Sequence, residues 1–273
     1  MLLIGLISDT HLPDRWRKIP ESVFEIFEDV DLILHAGDVG KLYVLDELAQ
    51  IAPVVAVHGN DEEAETVAAM PYHQLIPAGR HRIFMSHFHY PDRQEELASR
   101  KIDSWHPKLK WRASMGKAHG ADIVIFGHSH IPMTAVVDDV MLINPGAIAS
   151  GQHFTRQTLQ TVALLHLDLE PVVEHYTLDG QLYEPSVDLD AGFAAANMGV
   201  VCESILHPDI PVQALYGMLN ENKFMRAMDL LRPTLYPIWE GDKPYLMAED
   251  IVEALRGDLE FELSQIPELA QFL

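Results

Sequence analysis

Short apolar runs alternate with stretches of helical spacing through the first half of the chain. Leu2–Ser8, Asp31–Ala36, Val54–His58, Arg82–His87 and Ile123–Gly127 read as buried strands, each a compact apolar run. Between them, Glu21–Asp29 and Leu42–Gln50 carry apolar residues at helical spacing, and a further helix is expected around Lys110–His119. Strand–helix–strand alternation predicts a mostly parallel sheet with right-handed crossovers and helices on both faces.

After about residue 130 the pattern changes. Thr134–Val137 and Val140–Ile143 flank Asp138-Asp139, which suits a tight hairpin. Thr161–Asp168 and Val172–Leu178, separated by Glu170-Pro171, suit a second. These strands are expected to add a second sheet. The predicted fold class is therefore α/β, a two-sheet β-sandwich flanked by helices, with a C-terminal mainly helical extension.

A boundary is expected near residues 180–190, dividing a domain over 1–180 from an acidic extension over 181–273. In that extension acidic residues outnumber basic ones 16 to 5. Val212–Leu231 and Ala248–Leu255 look helical there, with Pro208, Pro211, Pro233 and Pro237 as breakers. The extension is too apolar for a disordered acidic arm. It is expected to pack on the core or on a partner chain, which makes a homo-oligomer through this segment an expectation.

Composition narrows the class. With 273 residues, 48% of them hydrophobic, the chain can bury a substantial core. No stretch approaches the roughly 18 continuous apolar residues of a membrane span. The apolar opening residues lack a basic segment before them and a small-residue cleavage site after them, so they read as a strand rather than a signal peptide. The single cysteine, Cys202, excludes an intrachain disulfide, fits a reducing cytoplasm, and reads as a small buried hydrophobe rather than a nucleophile. A net charge of −22 argues against a broad surface for long nucleic acid. A small phosphorylated substrate remains open, because bound divalent cations reverse the local field.

Where the histidines fall decides the chemistry. Five motifs sit at or just after strand ends: Ser8-Asp9-Thr10-His11, His35-Ala36-Gly37-Asp38, His58-Gly59-Asn60-Asp61, Ser86-His87-Phe88-His89 and Gly127-His128-Ser129-His130. Loops at the carboxyl ends of strands in an α/β sheet converge on one crevice. Each motif brings a carboxylate, imidazole or carboxamide, the donors that hard-to-borderline divalent metals take. Asp9-x-His11 and His128-x-His130 let an extended segment send two donors to one place. Any one motif is weak evidence. Five in order, each at a strand end, are not.

These motifs (D-x-H, G-D, G-N, H and G-H-x-H) resemble the signature of the calcineurin-like metallophosphoesterase superfamily, most closely its small bacterial and archaeal phosphodiesterase branch. The resemblance covers about residues 1–178, including the turn Ile143-Asn144-Pro145-Gly146. It implies that Asp9, His11 and His130 hold one metal, that Asn60, His87 and His128 hold a second, and that Asp38 bridges them. Asp38, Asn60 and His128 are carried over as serving catalysis as well. It implies two divalent ions, from Mn, Zn, Fe, Ni or Co, and hydrolysis of a small phosphorylated substrate, a phosphodiester rather than a monoester, by a metal-bridging hydroxide. Main-chain groups around His87 and His58 would orient that substrate. The alternative is a non-catalytic scaffold of the same fold; scaffold relatives tend to lose a ligand histidine, and all seven positions here are filled.

One departure stands out. Larger members carry a histidine after the G-N asparagine, and here that residue is Asp61. The small branch also lacks that histidine, so the general acid stays unassigned. Asp61 could serve only with a pKa raised above about 3.9, whereas metals nearby push it down. His35 reads as a core or supporting histidine, His58 as a packing residue with substrate contact the alternative, and His89 as a packing residue with a role in the site the alternative. The remaining histidines, among them His73, His81, His106, His119, His153, His166, His175 and His207, read as packing or surface residues. Residues 90–118, with Trp105, Trp111 and the basic cluster Arg100, Lys101, Lys108, Lys110, Arg112 and Lys117, form an insert that is either a solvated face or a cap on the substrate.

Overall fold

A computed structural model describes residues 2–99, 101–192, 201–210, 221–259 and 263–273. Its strands are β1 Leu2–Ile7, β2 Leu32–His35, β3 Val54–Ala56, β4 His73–Ala78, β5 His81–Ser86, β6 Ile123–Ile125, β7 Met133–Val137, β8 Val140–Asn144, β9 Thr155–Gln157, β10 Thr161–Leu167, β11 Val172–Thr177, β12 Leu182–Tyr183 and β13 Cys202–Ser204. Its helices are α1 Glu21–Ile26, α2 Tyr43–Leu48, α3 Ala64–Ala69, α4 Arg93–Ser99, α5 Trp105–Ala118, α6 Glu221–Trp239, α7 Ala248–Leu255 and α8 Pro267–Ala270.

Two sheets face each other. One runs β12-β11-β10-β1-β2-β3, the other β4-β5-β6-β8-β7. The period of two along a strand sorts side chains between the two faces. Ile4, Leu6, Leu34 and Ala36 meet Ile83, Met85, Ile123, Ile125 and Ile143 across the sandwich. Ile7 and Ile33 turn outward to Val23, Phe27, Val44 and Leu48 on the first helical layer. Phe84, Val124 and Leu142 turn outward to Trp105, Leu109 and Ala113 of α5. Covering both faces explains why the central strands read as continuous apolar runs rather than alternating ones.

The fold class matches the expectation, but the sheets are assembled differently. Both sheets are mixed: β1, β2 and β3 are parallel, as are β5, β6 and β8, with antiparallel neighbours beside them. The second sheet begins at β4 and β5, well before residue 130. The two hairpins separate, β7–β8 joining the second sheet through β6 and β10–β11 joining the first through β1. A hairpin signal is local, whereas the edge that accepts it is a tertiary choice. β4 escapes the pattern because it is an edge strand with mostly exposed or half-buried residues. The first hairpin turn has both aspartates in the left-handed region, Asp138 at φ 50 and Asp139 at φ 62, the geometry of a type I′ turn.

The C-terminal helices build their own apolar cluster, with Leu231, Leu235, Ile238, Ile251, Val252 and Leu269 closing around Ile205 and Phe154. The expected helix Val212–Leu231 lies partly outside the described residues, since 211–220 fall there. Its described part continues past the expected end: Pro233 and Pro237 lie inside α6 rather than breaking it. They remove two backbone donors, and burial of Leu231, Leu235, Ile238 and Trp239 on one side outweighs that cost. Among the described residues no helix is long and apolar enough to cross a membrane.

Candidate metal centre

The loops after β1, β2, β3, β5 and β6 converge at one edge of the sandwich. Asp9, His11, Asp38, His128 and His130 all adopt positive φ, between 47 and 68. Such backbone is strained for residues other than glycine and persists only where surrounding contacts enforce it. Here the Asp9 and His11 amides donate to the Gly37 and Asp38 carbonyls, each at 3.0 Å. The two loops therefore lock each other. Glycine is required where they cross: a Cβ on Gly59 would lie 2.1 Å from Asp38 Oδ1, and one on Gly127 would lie 2.8 Å from Asp9 Oδ2.

Each buried aspartate splits its oxygens between structure and site. Asp38 Oδ1 accepts from the amides of Asn60 and Asp61 at 2.9 and 3.0 Å. Its Oδ2 faces His87 Nε2 at 3.3 Å and His11 Nε2 at 3.5 Å. Asp9 Oδ2 accepts from Ser8 Oγ and from the His128 amide. Its Oδ1 faces His130 Nε2 at 3.1 Å, and His11 and His87 Nε2 at 4.0 Å each. The rings are aimed from behind. His87 Nδ1 donates to the Ala36 carbonyl at 2.8 Å and His130 Nδ1 to the Ala149 carbonyl at 2.9 Å, so Nε2 of each points to the centre.

Donor atoms of Asp9, His11, Asp38 and His130 lie within 4.8 Å of one another. His87 stands against the same two carboxylates. Asn60 and His128 are placed differently. Both line the cavity beside the cluster; Asn60 is exposed, and His128 Nε2 lies 3.1 Å from Glu96 Oε1. His35 sits behind, with Nε2 3.0 Å from Thr10 Oγ1. His58 lies against Tyr72 and His89, and His89 lies beside His87 with ring centroids 5.6 Å apart. Cys202 is buried on β13 and reaches the cavity wall. Arg100 of the basic insert lies outside the described residues.

The electrostatics are those of a site built for positive charge. Burial by itself would raise both carboxyls, but His130 and His87 hold Asp9 below its ordinary range, and His87 and His11 do the same for Asp38. Burial would lower His87, yet Asp38 and Asp9 overrule it and push that imidazole up to about 10. Burial and then Arg15 push His11 down to about 3. Asp9 Oδ1 and His87 Nε2 are buried with no hydrogen-bond partner. Buried polar atoms are rarely left so; a mixed oxygen and nitrogen donor set around such atoms fits a divalent cation.

Three residues of the centre escaped the sequence reading. Arg15, 4% exposed, sends Nη1 to His11 Nδ1 at 3.0 Å and to the Ser150 carbonyl at 3.2 Å, and pairs through Nη2 with Asp61. Glu62 accepts from the amides of Val39 and Gly59 at 2.9 and 2.7 Å; burial and the neighbouring Asp38 push it up to about 7. Glu96 holds His128. None lies in a motif; Arg15, four residues after His11, gave the nearest signal in the chain.

Comparison with known proteins agrees with this geometry. The profile of the calcineurin-like phosphoesterase superfamily domain matches residues 2–170. A "Probable metallophosphoesterase" of Methanothermobacter thermautotrophicus is 37% identical over 175 residues, covering 62% of this chain and 88% of that protein. A phosphodiesterase of Methanocaldococcus jannaschii is 30% identical over 147 residues, covering 52% of this chain and 82% of the other. Among solved structures, vacuolar protein sorting 29 of Cryptosporidium parvum superposes with a TM-score of 0.53 at 20% identity, over 67% of this chain and 94% of that one, a likeness of fold. With most of its length matched by the profile and its strand-end carboxylates and imidazoles gathered at one buried point, this chain belongs to the calcineurin-like phosphoesterase superfamily.

Proposed function

We propose that the chain is a metal-dependent phosphodiesterase acting on a small phosphorylated substrate. The observation that carries this reading is the pair of buried atoms Asp9 Oδ1 and His87 Nε2, which make no hydrogen bond and face other donors of the cluster, His130 Nε2 at 3.1 Å and Asp38 Oδ2 at 3.3 Å, beside a cavity of about 300 Å³. The Methanocaldococcus jannaschii relative, named a phosphodiesterase, supports the choice of diester over monoester. Asp9, His11 and His130 would hold one divalent ion and Asn60, His87 and His128 a second, with Asp38 shared between them. Such ions supply Lewis acidity and charge neutralisation for hydrolysis at phosphorus.

The protein's own groups prepare that chemistry. Asp38 is oriented by two amides, and His87 and His130 are oriented by carbonyls, so the donors need little reorganisation. Hydrolysis breaks one P–O ester bond; water oxygen joins phosphorus and its protons pass to the products. Asp61 does not supply the leaving group's proton. Burial would raise it, but Arg15 and His11 hold its carboxyl below the ordinary range, so it is ionised at neutral pH. The domain covering 1–180 carries the centre in this reading, while residues 181–273 buttress it and provide the surface for self-association.

The test is hydrolysis of bis-p-nitrophenyl phosphate by protein stripped with chelator and reloaded with Mn²⁺, beside the His87→Ala variant. The expected result is turnover that requires metal and falls roughly a hundredfold or more in the variant. A folded protein that binds no divalent ion would sink the reading and favour the scaffold alternative.

A further inference from the structure

The cavity beside the centre has two unlike walls. One carries Asp38, Asn60, His128 and His130; the other carries Phe88, Tyr90, Lys108, Trp111 and Arg112. Apart from Phe88, the second wall belongs to the insert over residues 90–118, whose role the sequence left open between a solvated face and a cap. Tyr90 and Trp111 stack with centroids 4.5 Å apart and planes 9° apart, a flat apolar wall. Beside it Arg112 is 4% exposed, with its guanidinium 4.6 Å from the Phe126 ring centroid and 5.6 Å from that of Phe88.

Arg112 Nε and Nη1 are buried and have no hydrogen-bond partner. Burial lowers its pKa to about 10, which leaves it charged at neutral pH. Glu96 is near enough to favour its charge, but no carboxylate hydrogen-bonds Nε or Nη1, and packing on two rings recovers only part of the cost of burying them. Glu96, which also lines the cavity, is engaged by His128 Nε2 and by the Tyr90 amide, each at 3.1 Å. Lys108 Nζ, donating to the Ser99 carbonyl at 3.0 Å, adds positive charge to the same wall. In a chain of net charge −22, this buried positive wall is the opposite of the average surface.

We infer that the substrate is a phosphodiester bearing a second phosphate: the scissile phosphorus lies at the metal centre, the organic portion lies against Phe88, Tyr90 and Trp111, and the second phosphate lies on Arg112. The inference rests on the phosphodiesterase reading and adds the substrate class. A guanidinium presents planar, forked donors that suit phosphate. About 300 Å³ suits a small molecule rather than a polymer.

The probes are thymidine 5′-(p-nitrophenyl phosphate) and its 3′-phosphorylated form, which share a leaving group and differ in the second phosphate. Metal-loaded wild type should favour the 3′-phosphorylated form by about tenfold or more in kcat/KM. Arg112→Met should bring that ratio near one, and Arg112→Lys should keep part of it. The second readout is calorimetric binding of thymidine 3′,5′-bisphosphate to the metal-stripped protein, expected to weaken about tenfold in Arg112→Met. The thermal midpoint of Arg112→Met should not fall, because the variant removes buried donors that make no hydrogen bond; a merely structural arginine would lower it. A wild-type ratio near one, or a ratio that Arg112→Met leaves unchanged, overturns the inference. Should neither thymidine ester nor bis-p-nitrophenyl phosphate be hydrolysed with any divalent ion, the phosphodiesterase reading fails. Calorimetry then decides the Arg112 site alone, equal binding by wild type and Arg112→Met overturning it.

Discussion

Arg15 and Asp61 form an ion pair at the edge of the metal centre, with the guanidinium buried and the carboxylate half-exposed. The same guanidinium contacts His11, so a residue outside every motif links a donor histidine to the position where larger superfamily members carry a catalytic histidine. An ionised Asp61 cannot give up a proton. Asp61→Asn is therefore expected to keep the shape of the pH–rate profile and to lose less than about tenfold in kcat, below what a general acid contributes. Disappearance of the alkaline limb in the variant would restore Asp61 as the acid.

Gly59 lies where a methyl group would overlap Asp38 Oδ1 and the Asp38 amide nitrogen. Gly59→Ala is expected to displace the Asp38 carboxylate and weaken Mn²⁺ binding by roughly 10- to 100-fold, the range seen when a ligand loses its orienting contacts. Equilibrium dialysis reads this directly. Unchanged affinity would mean that the loop relaxes without moving Asp38.

Leu235 is fully buried in the C-terminal cluster. Leu235→Ala should cost about 3 kcal/mol in urea unfolding. Its neighbours connect that cluster to the centre: Tyr236 donates to the Pro13 carbonyl at 2.7 Å and Trp239 Nε1 to the His153 carbonyl at 3.1 Å. The variant should also weaken metal binding through the loop that carries His11. A stability loss with no change in metal affinity would show that the extension does not support the site.

His175 on β11 joins the two sheets through Thr134 Oγ1, 2.9 Å from its Nε2. Burial pushes its pKa down to about 4 from an ordinary 6.5. The folded state thus binds fewer protons than the unfolded chain between those values. Its contribution is complete above pH 6.5 and is lost as pH falls toward 4, about 3 kcal/mol in all. Across this window the wild-type thermal midpoint should fall more steeply with acid than that of His175→Gln. Parallel curves would remove His175 from the acid sensitivity.

Much of this protein is legible along the chain. Apolar runs place β1, β2, β3, β5 and β6 within a residue or two, because buried strands must be apolar whatever they pair with. The donors follow directly, since Asp9, Asp38, His87 and His128 lie within three residues of the ends of β1, β2, β5 and β6. Other features belong to contacts between distant segments. The edge each hairpin joins depends on β6 and β1 having a free side, which local spacing does not encode. Pro233 and Pro237 read as breakers because local rules count the missing donors, not the buried face that outweighs them. Arg15, Glu62, Glu96 and Arg112 look like surface charges in sequence. Each became part of the site because folding buried it beside a partner or beside the cavity, and burial is the property that turns an ordinary charge into a chemical one.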